Sequence, residues 1–193
     1  NDSMLIVSAN DVVEENLYKI LLPALKQNSI DGFMVGKKVK NYFPGGYLKV
    51  GTGGLIKGIV EKPKPGTEPS KFVNLVVHYY RDSKVLYDAL HAVKSKKDDH
   101  YEVALDQLIK KGLRLKMVPY EGDWFPVKYP WHILDVMDFF LRSVQTLSPK
   151  RLKAMNIEIA PTAVLRGQVL LEEGVKIFDN AIIVGPAYIG KNT

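Results

Sequence analysis

With no cysteine among its 193 residues, any chemistry the chain does falls to carboxylates, amides, amines, guanidiniums, hydroxyls and imidazoles. Thiol catalysis, thiolate metal sites and a disulfide framework are excluded, and a reducing cytoplasm is the expected location. The four histidines, His78, His91, His100 and His132, are far apart without ligand spacing, so no zinc site is read from them. His78 falls in the apolar stretch Phe72 to Tyr80 and reads as a packed, hydrogen-bonded strand residue. Asp11 follows the apolar run Met4-Leu5-Ile6-Val7. On its own it is either a turn or helix-cap residue or a hard oxygen ligand at the end of a strand. Glu61-Lys62 ends a second apolar run and opens a loop carrying Pro63, Pro65 and Pro69. That pair is either solvated or stands where open α/β sheets bind their ligands. Gly51-Thr52-Gly53-Gly54 is glycine-rich, but no Gly-Lys-Ser/Thr follows it and no helix opens after it, so it reads as a hairpin turn rather than a phosphate cradle.

These residues need elements to hold them. Residues 1–145 alternate strand-like and helix-like segments. Met4 to Val7 suits a buried parallel strand, and Leu17, Ile20, Leu21, Ala24 and Leu25 have helical spacing, with Pro23 expected to kink or shorten that helix. Phe33 to Val35, Tyr47 to Val50, Leu55 to Val60, Phe72 to Tyr80 and Leu113 to Pro119 read as further strands. Ser83 is placed as the cap of a helix burying Leu86, Ala89, Leu90 and Val93. A second helix runs from about Tyr101 to Lys111 and closes at Gly112. A last helix from near Pro130 is expected to bury Ile133, Met137, Phe140, Leu141 and Val144. The sum is an α/β domain: an incomplete, Rossmann-like, mostly parallel sheet with helices on both faces. No glycine-rich phosphate loop precedes Met4. Opening on Asn1 with no charged segment ahead of an apolar core, the chain reads as a piece of a longer protein without a signal peptide.

From Ile157 onward the period changes. Ile159, Leu165, Leu171, Ile177, Ile183 and Ile189 recur every six positions, and Ile157, Ala163, Val169, Val175, Ala181 and Ala187 repeat the spacing two places earlier. Neither a helix nor an alternating strand has that period. A hexapeptide repeat does: each hexad gives one short strand of a triangular parallel β-helix, and three close a coil. Residues 157–193 therefore make about two coils, with Gly167, Gly174, Gly185 and Gly190 at turns. Residues 146–156 lack periodicity and read as a linker.

Composition bounds the partners. Lys+Arg 27 against Asp+Glu 21 gives a net charge of +6, spread without a basic stripe, and 46% of residues are apolar. Nucleic-acid binding is not expected. No apolar window approaches the ~18 residues of a membrane span, so no membrane partner is expected either.

Taken in order, these segments resemble the sugar-1-phosphate nucleotidylyltransferases, many of which carry a left-handed β-helix after a Rossmann-like catalytic domain. Leu5-Ile6-Val7-Ser8-Ala9-Asn10-Asp11 matches the strand that ends in Gly-Asp, with Asn10 for the glycine. Ile59-Val60-Glu61-Lys62-Pro63 keeps the Glu-Lys-Pro signature. Asn74 matches the family's Asn-Ala-Gly stretch, followed here by Leu75 and Val76. Tyr101-Glu102-Val103-Ala104 matches a Tyr-Glu-Leu-Thr segment. Trp124 to Pro130 matches a Trp-x-Asp segment with Pro126 at the aspartate. The resemblance implies that Asp11 is catalytic and holds Mg²⁺, and that Lys62 neutralises the sugar's phosphate as a catalytic group. It places Glu61, Asn74 and Glu102 with Lys62 in substrate binding. The implied reaction joins a nucleoside triphosphate to a sugar 1-phosphate, releasing pyrophosphate, in a homo-oligomer built through the β-helix. Pro126 offers no metal ligand, so this chain alone is expected to be inactive. The alternative is a catalytically eroded regulatory or nucleotide-sugar-binding relative acting through oligomerisation. In some relatives the β-helix is an acetyltransferase; residues 157–193 contain no histidine with which to show such a site.

Overall fold

A computed structural model describes residues 2–95, 99–143, 146 and 148–193. The chain divides into two compact units, residues 1–124 and 125–193. The charged run from Lys94 to Asp99 is described only at its ends, and the expected burial of Val144 lies outside the described residues. Among the described residues no helix is long and apolar enough to cross a membrane.

The first unit runs β1 (Met4–Val7), β2 (Asp11–Val13), α1 (Asn16–Leu25), β3 (Gly32–Lys38), β4 (Gly46–Val50), β5 (Ile56–Glu61), β6 (Phe72–Tyr80), α2 (Ser83–Ala92), α3 (His100–Lys110) and β7 (Leu115–Tyr120). Alternation along the strands splits their side chains between two cores. Phe33, Val35, Leu75 and Val77 meet Leu17, Leu21 and Ala24 of α1 on one face. Met34, Leu48, Tyr80 and Leu115 meet Leu86 of α2 and Leu105 and Leu108 of α3 on the other. The α/β class with helices on both faces therefore holds.

Strand pairing differs from expectation. The order is β5-β4-β6-β3-β7, with β1 also on β6. Within this sheet, among the described residues, only β3 and β7 pair in parallel; β1 with β6, β3 with β6, β4 with β5 and β4 with β6 are antiparallel. The short β4–β5 connection can make only a hairpin, and β6 runs against all three of its neighbours. As a result β1 is not a strand buried on both faces: Leu5 and Val7 are exposed. Two local expectations also shift. Pro23 sits inside α1, which runs on to Leu25; a proline in the last turn forfeits little of the helical ladder. The cap of α2 is Asp82, whose carboxylate accepts from Lys84 N–H at 3.0 Å, and Ser83 is the first helical residue.

The second unit begins with the end of β8 (Trp124–Pro126) and α4 (His132–Arg142), and α5 (Pro149–Ala154) falls within the stretch read as a linker. No residue of α4 is buried: Ile133, Met137 and Phe140 are 58%, 51% and 56% exposed. Helical periodicity says which side chains share a face, not whether anything covers it. Six short strands follow: β9 (Glu158–Ile159), β10 (Val164–Arg166), β11 (Val169–Leu171), β12 (Lys176–Ile177), β13 (Ile182–Val184) and β14 (Ala187–Ile189). They pair in parallel as Glu158↔Lys176, Val164↔Ile182 and Val169↔Ala187, always eighteen residues apart, so three hexads close one coil. Val169, Leu171 and Val175 are buried at its centre. Gly167 and Gly174 turn with positive φ, but Asn156, Asn180 and Asn192 take other such positions. Gly185 serves differently: a Cβ there would stand 2.1 Å from the Gln168 carbonyl oxygen, so glycine permits the coils to approach.

Candidate functional site

Register brings Glu61, Lys62 and Asn74 to one stretch of the β6 edge. β1 and β4 lie along the same edge of β6, β1 beside Val77 to Tyr80 and β4 beside Val73. The chain leaving β1 still touches β6, where Ser8 N–H donates to the Val76 carbonyl at 2.9 Å. Gly46 at the start of β4 faces Glu61 at the end of β5. β1, β3, β4 and β7 thus run one way and β5 and β6 the other, and the carboxyl end of β1, the amino end of β4 and the carboxyl end of β5 converge beside Asn74 to Val77 of β6.

Two adjoining cavities open on the α2–α3 side. One of about 750 Å³ is lined by Met4, Ile6, Asn74, His78, Tyr101 and Glu102, among others. The other, about 1040 Å³, includes Glu61, Lys62, Tyr101, Glu102 and Asp106. Tyr101, Glu102 and Leu90 line both. Four of the five expected residues, Glu61, Lys62, Asn74 and Glu102, therefore surround this paired space. Asp11 opens β2, half-buried, and lines neither cavity. Among the described residues no group of three or more His, Cys, Asp or Glu side chains gathers that could hold a metal ion. Asp11 offers a hard carboxylate oxygen, and an Mg²⁺ bound mainly through phosphates and water, which that ion retains readily, needs no protein cage.

The geometry around Glu61 is specific. An ideal Cβ built on Gly46 would stand 2.9 Å from Glu61 Oε2 and 3.8 Å from Asn74 Cβ. Glycine is what leaves room between that carboxylate and that amide. Lys62 holds a left-handed backbone, φ 42°, which costs a non-glycine residue about 1 kcal/mol or more. Its N–H donates to the Gly45 carbonyl at 3.2 Å. The ammonium lies 3.8 Å from Glu61 Oε1, both side chains being largely exposed, so the pair itself contributes little to stability. Of the two bulkier residues after Asn74, Leu75 is buried in the α1 core and Val76 alone lines the cavity.

Along the wall of the first cavity lies a polar network whose coupling the sequence did not reveal. His78 is fully buried; its Nε2 is 2.8 Å from Asn74 Oδ1 and its Nδ1 2.5 Å from the Tyr101 hydroxyl. Tyr101 in turn lies 2.6 Å from the Tyr80 hydroxyl. Desolvation lowers the His78 pKa to about 3 and raises that of Tyr80 to about 12. Burial raises Tyr101 further still. All three are neutral at pH 7. The one available signal was the spacing of Asn74 and His78, four apart on one strand and so on one face. Lys37 was missed as well: its ammonium donates to the Glu121 and Gly122 carbonyls at 2.9 and 2.6 Å, clamping the turn after β7. Burial lowers its pKa, opposed by Asp123, Glu121 and Glu14. In that turn Asp123 N–H donates to Glu14 Oε1 at 2.8 Å.

A mixed sheet with helices on both faces and two adjoining cavities beside its β6 edge defines an α/β domain with a ligand-sized cleft. Comparison with known proteins narrows the class: residues 1–139 match the family model described as nucleotidyl transferase, and the chain belongs to that family. It is 27% identical over 181 residues to a bifunctional sugar-1-phosphate nucleotidylyltransferase/acetyltransferase of Sulfurisphaera tokodaii, covering 92% of this chain and 41% of that protein. It is 25% identical over 178 residues to the bifunctional protein GlmU of Methanococcus maripaludis, covering 91% and 39%. The chain thus spans about two fifths of the length of these relatives. A solved UDP-glucose pyrophosphorylase from Acinetobacter baumannii shares the fold, with a TM-score of 0.60 at 16% identity over 74% of this chain and 52% of that one.

Proposed function

We propose that this paired cavity binds a sugar 1-phosphate for nucleotidyl transfer from a nucleoside triphosphate, giving a nucleotide sugar and pyrophosphate. One observation carries the reading: in a nucleotidyl transferase family member, Glu61, Lys62, Asn74 and Glu102 line two adjoining cavities where β1 ends, β4 begins and β5 ends. Glu61 accepts from sugar hydroxyls, Asn74 meets a neighbouring oxygen, and Lys62 places a point charge against the phosphate. Glu102 bounds the space from α3. A phosphate oxygen of the sugar attacks the α-phosphorus in line as the bond to pyrophosphate breaks, so the residues work by orienting two anions and offsetting their repulsion. Mg²⁺ arriving with the triphosphate would take one ligand from Asp11 and neutralise phosphate charge.

A second reading, a binding or regulatory relative without turnover, is favoured by Pro126, which offers no metal ligand where the resembled segment has an aspartate. Outward-facing Ile182 and Val184 support assembly through the coils in either case.

Calorimetric titration with glucose 1-phosphate, beside a pyrophosphate-release assay with UTP, tests both. Saturable binding weakened about tenfold by Glu61→Gln or Lys62→Ala is expected, with no pyrophosphate released by this chain alone. A folded chain that binds no sugar 1-phosphate overturns the proposal. Pyrophosphate release abolished by Asp11→Ala would overturn the second reading.

A further inference from the structure

The buried network has a direction, and the direction has a consequence for the ligand. Asn74 Oδ1 can only accept, so His78 Nε2 carries the hydrogen of the 2.8 Å bond between them. A neutral ring then has a bare Nδ1, which accepts from the Tyr101 hydroxyl, and the Tyr101 oxygen accepts from Tyr80. Neutrality follows from burial, which holds the imidazole far below its ordinary pKa. Tyr101 also stacks on the imidazole, ring centroids 5.4 Å apart and planes 21° from parallel, so the ring cannot turn over without displacing α3's first turn. Asn74 Oδ1 thereby holds one hydrogen bond, which fixes the way the amide faces. Its Nδ2 is taken by no described residue, and Asn74 lines the cavity.

We propose that His78 is a positioning residue: by donating to Asn74 Oδ1 it fixes the amide so that Nδ2 presents hydrogen-bond donors to the ligand. The inference rests on the sugar-phosphate reading above and deepens it. Across the gap left by Gly46, Glu61 offers an acceptor while Asn74 offers a donor. Such a pair recognises a vicinal diol, with one hydroxyl donating to Glu61 and its neighbour accepting from Asn74. A ligand with two donors and no acceptor there would leave the amide unpaired.

Two measurements test it. In the unliganded chain, ¹⁵N NMR of the His78 ring at neutral pH should show Nε2 protonated and Nδ1 bare. The opposite tautomer, or a doubly protonated ring, overturns the inference whether or not a sugar phosphate binds. Calorimetry with glucose 1-phosphate then reads the consequence. His78→Phe should weaken binding about tenfold, and His78→Gln, which can both donate and accept, should restore it to within about threefold. In the Asn74→Ala background His78→Phe should cost nothing more. Additive losses, or wild-type affinity in folded His78→Phe, would overturn the proposal. Absence of binding by the unaltered chain overturns the sugar-phosphate reading and the ligand half of this one, leaving the tautomer measurement to decide the other half.

Discussion

Gly46 is the residue on which the shape of the site turns, because the missing side chain is the space between Glu61 and Asn74. Its backbone is not in the left-handed region, so alanine suits it locally, but the new Cβ would push the Glu61 carboxylate aside. Gly46→Ala should therefore weaken glucose 1-phosphate binding about tenfold in calorimetry while the thermal midpoint stays close to wild type. The buried imidazole makes a separate prediction about pH. Its folded pKa, about 3, lies below the unfolded value of 6.5, so the unfolded chain binds the extra proton first. Stability from this group is complete above pH 6.5 and is lost as the pH falls toward 3. Between pH 7.5 and 4.5 the loss is roughly 2 to 3 kcal/mol, and urea melts at the two pH values should show that difference shrink by this amount in His78→Phe. Glu61, Lys62 and Asn74 could be picked out in the sequence because each sits in a short segment of distinctive composition. The His78 network could not. Its partner Tyr101 comes from a helix twenty-three residues on, and nothing in either segment says which helix covers that face.

At the scale of elements, sequence pattern located most strands and helices but not the groups that end or cover them. Ser83 and Asp82 are both good caps, adjacent, and composition does not choose between them. The structure chooses Asp82, so Asp82→Ala should cost about 1 kcal/mol in chemical denaturation and Ser83→Ala only a few tenths. An excess loss in the serine variant would move the cap back. The same ambiguity explains the sheet. A short apolar run such as Met4 to Val7 is compatible with either pairing direction, and only the register with β6 shows it to be antiparallel and half-exposed. For α4 the apolar spacing is plain, yet Ile133, Met137 and Phe140 are exposed, because a stripe is a property of the helix and burial a property of its neighbours.

The whole molecule joins two kinds of periodicity, and the second was the more legible. A hexad repeat constrains every coil in the same way, so six cycles agree on one geometry, and the eighteen-residue offsets of β9 to β14 follow from it. An alternating α/β pattern constrains only neighbours in sequence and leaves strand order open. Repetition also bears on assembly. The β10–β13 layer turns Val164, Ile182 and Val184 outward, and Ile182 and Val184 are 68% and 66% exposed. Paired β-branched side chains on a flat face are ill suited to water and well suited to a copy of themselves. Sedimentation velocity should accordingly find a mass that is a multiple of the monomer's at micromolar concentration. Ile182→Lys with Val184→Lys should return it to the monomer without changing the far-ultraviolet circular dichroism, since neither side chain belongs to the buried centre of Val169, Leu171 and Val175. A wild-type chain that stays monomeric throughout that range would remove the coils as the assembly surface, and an oligomer that survives both lysines would move the contact to another face.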